Sequence, residues 1–330
     1  MSEKKSSFVK DLLLKHNAFL MLILLIVVST SLSDVFLTWG NITNLLRQLT
    51  PLMLVSLGML LVVLTGGIDL SVGSIAAVGS MICAVALNAF KVPGITGLLL
   101  AVIVALLSGF ILGAVTGSLV AFSRMAPFVA SLAMMTMARG AAYMITNGEP
   151  IRLNMSHLPQ QVLNRFGSES IPLIGVPWPI FLGFIAIIIF FLIVKYTAFG
   201  RLTIATGSNE SAVRLAGISV QKYKFLVYAI CGALSALGGV VITSRAAIGT
   251  PVSGQNLELD AIAACVIGGA SLSGGKGSVV NTMIGVIVLG LISNIMNLLS
   301  IPAYPQQITK GAIIVVAVLL QRVSDRRVSG

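Results

Sequence analysis

Apolar residues run through most of this chain in segments long enough to cross a membrane, and short polar or glycine-rich stretches separate these segments. A helix needs about 20 predominantly apolar residues to span a bilayer, and on this criterion the sequence predicts about ten spans. Some spans are short or contain glycine, so bent or re-entrant segments are also expected. The predicted spans are 18–36, 50–67, 70–89, 94–122, 125–146, 178–196, 224–245, 258–272, 279–300 and 308–321.

The composition supports the same fold class. The chain is 57% hydrophobic and only 9% charged, whereas a soluble domain carries roughly 25% charged residues. The short alternating segments typical of membrane β-barrels are missing from the sequence. We therefore predict an all-α, polytopic membrane helical bundle that forms a single transmembrane domain over residues 1–330.

The distribution of Lys and Arg predicts the orientation of the bundle. If the N-terminus lies inside, most basic residues fall on the cytoplasmic side, which is the distribution that membrane proteins favour. Both the N-terminus and the C-terminus are then cytoplasmic. The net charge of +11 is explained by these loops. Because no basic run is interleaved with aromatic residues, the charge does not indicate nucleic-acid binding.

Two connections are unusually long, and the cytoplasmic one, 196–223, carries the more informative pattern. Its segment "SNESAVRLAGISV" begins with Ser208 and Asn209, either of which suits a helix N-cap, and Glu210 follows in the first turn. A short amphipathic helix would lie on the membrane surface or dock into a partner's groove, and its spacing leaves both open. The other long connection, 147–177, is predicted to be extracytoplasmic.

Two similar glycine segments, "GGIDLS" from Gly66 and "GGASLS" from Gly268, follow spans that run from outside to inside. Repeats of this kind often flank a transport path. Asp69 suits an N-cap in an ordinary turn between two helices, or it belongs to an inner gate or an ATPase contact. The candidate gate or turn residues are Gly66, Gly67, Asp69, Ser71, Gly268, Gly269 and Ser273.

Polar residues inside the spans are candidates for a substrate path. Thr136, Arg139, Tyr143 and Asn147 are three and four residues apart, which places them on one helix face. Arg139 would line the path, or would reach the outer interface or pair with Glu149.

Two further polar pairs lie in the later spans. Asn294 and Asn297 share a helix face, where they would line the path or hydrogen-bond between helices. Glu258 and Asp260 open a span, where carboxylates complement the positive end of a helix; an ion-coupling role is the alternative.

Metal, redox and catalytic signatures do not emerge. Cys83, Cys231 and Cys265 lie in apolar segments without a CxxC pair, and His16 and His157 are isolated. We predict no metal site, no cofactor and no catalytic residues. Motifs such as HExxH or GxSxG, which would indicate a membrane enzyme, are also missing.

Four motifs in the same order resemble the permease subunits of monosaccharide ABC importers of the ribose, xylose and galactose type. They are "LVVLTGGIDLSVGS", "MTMARG…TNGEPI", "AFGRLTIATGSNESAVRLAGI" and "LDAIAACVIGGASLSGGKGS", and the match extends from about residue 40 to 322. Within the third motif, the family's ATPase-coupling loop reads Glu-Ala-Ala, three residues, then Gly. Here Ser211 replaces the first Ala, and Ala216 precedes Gly217. The resemblance assigns coupling to Glu210, Ala212, Arg214, Ala216 and Gly217.

The resemblance implies a set of partners and a location. These are a cytoplasmic ABC ATPase, an extracytoplasmic sugar-binding protein, a second copy of this chain or a related permease, and the lipid bilayer of a bacterial cell (inner or plasma) membrane. The chain itself lacks a phosphate-binding loop, since "ASLSGGKG" has Ala270 and Gly277 where GxxxxGK[ST] needs Gly and Ser or Thr. Energy would therefore come from another chain.

The alternatives from the sequence are a related permease for nucleosides or branched-chain amino acids, and a secondary carrier that acts alone. Proton-coupled carriers usually place Asp, Glu or His in a relay within their spans. The few charges in these spans fit the path of a neutral, hydroxyl-rich sugar better.

Overall fold

The structure is a computed structural model that describes residues 17–89, 92, 94–313 and 315. The first seven helices are α1 (Asn17–Leu32), α2 (Trp39–Leu64), α3 (Val72–Ala89), α4 (Gly94–Ala121), α5 (Pro127–Met144), α6 (Leu158–Ser168) and α7 (Trp178–Tyr196). The next five are α8 (Ala198–Ser208), α9 (Glu210–Leu215), α10 (Val220–Ala246), α11 (Leu257–Ile267) and α12 (Val279–Leu298). A last helix, α13, covers 303–313. Two short strands, β1 (Ile151–Arg152) and β2 (Ile248–Gly249), pair antiparallel.

Six helices in the described part of the chain are long and apolar enough to cross a membrane: α2, α3, α4, α7, α10 and α12. The shorter apolar helix Phe19–Leu32 lies within α1. These helices confirm the predicted all-α, polytopic membrane architecture. The prediction of about ten crossings goes beyond these six, and both termini lie outside the described residues, so the crossing number and the sides of the termini stay predictions.

Burial separates the central helices from the peripheral ones. In α2, 83% of the most apolar 18-residue window is buried inside the protein, whereas the corresponding fraction is 22% in α4 and 28% in α7. The compared windows of all three helices are strongly apolar, so the difference reflects what surrounds them. Such a helix lies either inside a bundle or against lipid. We therefore place α2 at the centre of the bundle and large surfaces of α4 and α7 against lipid.

Glycines allow α4 and α10 to pack with their backbones in contact. Gly109, Gly113 and Gly117 recur at every fourth residue of α4 and face α10. A β-carbon at Gly113 would overlap the carbonyl oxygen of Tyr228, and one at Gly232 would overlap the carbonyl oxygen of Gly109. Small residues at this spacing let transmembrane helices approach closely, which is how such helices associate when lipid removes the hydrophobic drive.

The structure moves one predicted boundary by 11 residues, because α2 begins at Trp39 rather than at residue 50. Thr38 is its N-cap, with its side chain accepting from the amide of Asn41, and Pro51 lies inside the helix. Proline usually marks a helix start because it lacks an N–H donor. Membrane helices tolerate interior proline when neighbouring groups satisfy the backbone. The polar first half of α2 was therefore missed by a criterion based on hydropathy.

The predicted span 258–272 is also shorter in the structure. Helix α11 has 11 residues, about 16 Å at 1.5 Å per residue, which is too short to cross a bilayer. The helix ends at Ile267, because Gly268 is its C-cap and Gly269 has a left-handed φ of +79°. The irregular segment before the helix is partly buried in protein at Ser253, whose hydroxyl lies 3.2 Å from that of Ser80, and Ser80 also contacts Thr243 at 2.7 Å. Non-helical backbone at membrane depth is tolerated in such surroundings.

The two long connections contain secondary structure of their own. The connection 147–177 holds β1 and α6, and the connection 196–223 holds α8 and α9. Strand β1 pairs with β2, which follows α10, through the partners Ile151 with Gly249 and Arg152 with Ile248. The start of the connection 147–177 is thus fixed to the segment that follows α10.

Replacing Gly232 by Ala should destabilise the bundle, because the new β-carbon overlaps the backbone of Gly109. Overpacking of this kind costs about 1–3 kcal/mol. The matched control is Gly140→Ala in α5, where a β-carbon meets nothing within 4 Å and helix propensity favours Ala by about 1 kcal/mol. The measurement is the thermal unfolding midpoint of the purified protein in detergent. Equal midpoints for the two variants would contradict the proposed backbone contact.

Candidate functional site

The cytoplasmic-loop prediction, 196–223, becomes two helices joined by one residue. Asn209 ends α8 through its own amide, which donates to the carbonyl of Ala205 at 2.9 Å, and its side chain accepts from the amide of Ala212 at 2.9 Å to cap α9. Of the two N-cap candidates, Ser208 and Asn209, the structure selects Asn209. The extended backbone that a cap requires gives α9 a different direction from α8.

Helix α9 ends in a Schellman motif. Gly217 has a φ of +76°, a left-handed conformation that glycine adopts without strain. Its amide donates to the carbonyl of Arg214, and the amide of Ile218 donates to the carbonyl of Val213 at 3.2 Å. These two bonds are the pattern that defines the motif. The position of Gly217, one residue later than the family pattern, is therefore the position that terminates α9.

Two basic side chains hold Glu210 in place. Its carboxylate accepts from Lys224 of α10 at 2.6 Å and from Arg214, one turn along α9. The hydrogen bond from Lys224, with the bond from Arg214 and both positive charges, lowers the pKa of Glu210 against the raising effect of its partial burial. In this structure Glu210 fixes α9 to α10, so its carboxylate is engaged within the chain.

The two sides of α9 differ in exposure. Val213 is buried against the bundle, whereas Leu215 is 90% exposed. Ser211, Ala212 and Ala216 are exposed as well. Val213 and Leu215 therefore face different surroundings. We call the exposed surface made by Ser211, Ala212, Leu215 and Ala216 the α9 docking face.

The end of α8 packs directly on the two glycine segments. A β-carbon at Gly207 would overlap the carbonyl oxygen of Leu64 and lie 2.7 Å from the amide nitrogen of Gly275. Gly275 also donates a hydrogen bond to Leu64 at 3.0 Å. A β-carbon at Gly274 would lie 2.8 Å from the amide nitrogen of Gly66. We call this meeting point of Gly66, Gly207, Gly274 and Gly275 the glycine junction.

The predicted gate or turn residues surround this junction. Gly66 faces the carbonyl of Ser273, and Gly269 has a φ of +79°. Gly268 packs against Asn281 at the start of α12. The sequence shows that the two segments are similar, and the structure shows that they are in contact. It also adds Gly207, Gly274 and Gly275, which the sequence analysis did not single out.

Asp69 lies in a fully buried turn next to the junction. Its carboxylate accepts from the amide of Ser71 at 2.9 Å and from the Ser71 hydroxyl. The carbonyl of Ser71 accepts from Ile75, so Ser71 opens α3 and Asp69 lies two residues before it. The hydroxyl of Tyr228 donates to the carbonyl of Ile68 at 3.3 Å. The predicted turn between α2 and α3 is therefore present, and a gating role for it stays a prediction.

The four polar residues predicted for one face of α5 have different surroundings. Arg139 donates to the carbonyls of Pro251 at 2.7 Å and Ser253 at 2.9 Å, which holds the irregular segment before α11. Thr136 bonds within its own helix and is exposed. Tyr143 is exposed, and Asn147 lies beyond the end of α5 with a φ of +53°. Arg139 is thus bound to main chain rather than to Glu149.

Asn294 and Asn297 both form hydrogen bonds between segments. The amides of Asn294 and Asn41 donate to each other at 2.8 and 3.1 Å, and Asn297 accepts from Gln306 at 2.8 Å. Both asparagines also line a cavity of about 430 Å³ at the opposite end of α2 from the glycine junction. Interhelical bonding is therefore observed, and a role in the substrate path stays a prediction.

The two carboxylates at the start of α11 behave differently. Asp260 forms an ion pair with Lys310 of α13 at 2.9 Å, whereas one oxygen of Glu258 is buried without a hydrogen-bond partner. In the part of the chain that the structure describes, no three His, Cys, Asp or Glu side chains come together as a metal site would require.

Comparison with known proteins defines the class. Residues 41–318 match the family model described as the permease component of a branched-chain amino acid transport system. The chain belongs to this family of transport permeases.

Among individual relatives, the chain is 40% identical to the ribose import permease protein of Escherichia coli strain K12 over 95% of both chains. It is also 40% identical to the ribose import permease protein of Bacillus subtilis over 97% of both chains. The L-arabinose ABC transporter permease protein of Azospirillum brasilense is 32% identical, over 91% of this chain and 85% of that one. No solved structure is significantly similar to the chain. The resemblance seen in the sequence motifs is thereby confirmed.

Glu210→Gln should loosen α9 without unfolding the bundle, because a partly exposed ion pair contributes only about 0.5–1 kcal/mol. We expect faster amide hydrogen exchange over residues 212–218. Since the folded pKa of Glu210 is lowered, its contribution is present above the ordinary Glu pKa of about 4.3 and is lost as pH falls through the folded value. The native chain and the variant should therefore have equal amide hydrogen-exchange rates only at pH values below the folded pKa of Glu210.

The matched control for this experiment is Glu169→Gln. Glu169 forms an i,i+4 ion pair with Arg165 at the other long connection, and both side chains are well exposed. This variant should leave exchange over 212–218 unchanged. If Glu210→Gln also leaves it unchanged at neutral pH, Glu210 does not fix α9.

Proposed function

We propose that this chain is the membrane-spanning permease subunit of an ABC importer for a simple sugar. The observation that carries the proposal is its 40% identity, over almost the entire chain, to proteins named as ribose import permeases. The relatives named for arabinose and allose support the same substrate class. The chain lies in a bacterial cell membrane and imports its substrate by alternating access.

In this proposal a separate cytoplasmic ATPase supplies the energy, and an extracytoplasmic binding protein delivers the sugar. A second copy of this chain, or a related permease, completes the transmembrane part. The bundle crosses the membrane about ten times with both termini in the cytoplasm, as the Lys and Arg distribution predicts. On this topology the α9 docking face and the glycine junction lie at the cytoplasmic end, and the cavity beside Asn294 lies at the outer end.

The α9 docking face is the proposed contact with the ATPase. Leu215 is an almost fully exposed leucine at the centre of a small, alanine-rich surface. A short helix that presents its apolar face is a common way to engage a groove on a partner. Glu210 and Arg214 set the position of α9, and Gly217 ends it, so the assignment from the family motif agrees with local geometry. The glycine junction then connects this contact to α2 and α12.

Two alternatives make different predictions. The matching family model is described for branched-chain amino acids, so the same machine for another solute is the first alternative, and competition between solutes in uptake assays separates the two. A carrier that acts alone is the second. It would catalyse uptake as a purified protein in vesicles, whereas the proposed function requires ATP, the ATPase and the binding protein.

Leu215→Asp should reduce both sugar uptake and stimulated ATP hydrolysis of the assembled complex about tenfold or more. A carboxylate pressed into an apolar groove loses hydration without a compensating partner. The amount of permease in the membrane should not change, because Leu215 is 90% exposed and the described residues leave it almost uncovered. The measurements are ATPase activity and uptake in vesicles that contain the complete complex.

Leu173→Asp is the matched control, since Leu173 is 96% exposed in the connection predicted to be extracytoplasmic. This variant should retain stimulated ATP hydrolysis. Full activity of Leu215→Asp would place the ATPase contact somewhere other than α9.

A further inference from the structure

A polar cavity of about 430 Å³ lies at the end of α2 that is distant from the glycine junction. Its walls come from the first half of α2, the last turns of α10 and α12, the first turn of α11, and α13. Small-molecule sites have volumes of roughly 300–1,000 Å³. The cavity is therefore large enough for one small ring-shaped ligand and a few water molecules.

One wall of the cavity carries side-chain amides with unused hydrogen-bonding capacity. Asn41 and Asn294 bond to each other, and Asn41 gives its second N–H to the carbonyl of Phe36. Asn294 uses only one of its two N–H donors in hydrogen bonds with the described residues. Gln48 is exposed within this wall and forms no hydrogen bond with any described residue. Donors and acceptors therefore face the cavity side by side.

The lining of the cavity also includes the guanidinium of Arg245. Arg245 is only partly exposed and makes no hydrogen bond or ion pair with the described residues. The other charged groups on the wall, Asp260 and Lys310, neutralise each other at 2.9 Å. A partly buried group with five N–H donors and no acceptor costs free energy until an acceptor arrives.

The lining of the cavity also has an apolar part. Leu45, Leu49 and Leu289 belong to it. A monosaccharide combines the two surfaces that the cavity offers, since its hydroxyls donate and accept in neighbouring pairs while its C–H faces are apolar. A branched-chain amino acid would instead need an acidic partner for its ammonium group, and Asp260 is already paired with Lys310.

We propose that this cavity is an outer binding site for one neutral monosaccharide, whose hydroxyls bond to Gln48, Arg245 and Asn294. The inference rests on the proposed function and adds a location for the sugar in the permease. The two hydrogen bonds between Asn41 and Asn294 then fix the orientation of the Asn294 amide. The side chain of Gln48 can instead change its conformation to suit the ligand. The site would receive sugar released from the binding protein.

The test uses Ser293→Cys, which places a thiol on the cavity wall. Cys83, Cys231 and Cys265 are all buried, so a membrane-impermeant methanethiosulfonate reagent added outside intact cells should label the new thiol selectively. D-Ribose, L-arabinose or D-allose at millimolar concentration should slow its labelling. Ser170→Cys, at an exposed position away from the cavity, is the control and should be labelled at a rate independent of sugar.

Variants of the wall sharpen the test. In the Ser293→Cys background, Gln48→Ala and Arg245→Gln should each raise the sugar concentration for half-protection about five- to tenfold, as expected for one lost hydrogen bond. Gln48 is exposed and unbonded, so its replacement should leave the amount of folded protein unchanged.

Three results would overturn the proposal: no external labelling, no protection by any of these sugars, or equal protection by L-leucine or inorganic phosphate. Sugar uptake by the complete native complex, measured in parallel, tests the proposed function separately from the cavity site. Sugar uptake without protection would remove the cavity site alone. A native complex that fails to import sugar would remove the proposed function together with this site.

Discussion

Direct contact between main-chain atoms is the constraint on which this structure depends. In lipid, apolar side chains gain little by leaving the bilayer, so helices associate through close packing and hydrogen bonds. The glycines of α4 and α10 satisfy this requirement within the bundle, and the glycine junction satisfies it where α8 meets the ends of α2 and the segment before α12. The same physical device therefore holds the helices together and connects them to the loop that carries the family motif.

Hydropathy alone predicts the helices whose polar residues lie at their ends. The predicted spans 94–122 and 178–196 agree with α4 and α7 within a residue. The first half of α2 was missed because it contains polar residues such as Gln48. These residues line a cavity between helices, and they lower the hydropathy of the segment. The span that corresponds to α11 was predicted too long because its apolar and small residues continue to 272, whereas Gly268 and Gly269 end the helix after Ile267. Hydropathy reports neither the tertiary contacts of polar groups nor the backbone conformation of a glycine.

The candidate site was predictable where its contacts are local. The N-cap at Asn209 and the glycine that ends α9 follow from short-range rules, and both appear in the structure. The bond between Glu210 and Lys224 spans 14 residues, and the contact of Gly207 with Leu64 joins separate parts of the chain. The spacing of apolar and polar residues along the sequence does not predict such long-range contacts. Gly207 lies within the third motif, three residues before Glu210, but only the fold shows that it belongs to the glycine junction.

Asn209 closes one helix and opens the next, so the connection between α8 and α9 contains no spare backbone. A longer linker would absorb a displacement by changing its own dihedral angles. With a single shared residue, the two helices form a bent unit whose bend, at Gly207, rests on the glycine junction. The short connection therefore favours movement of α8 and α9 together over movement of α9 alone.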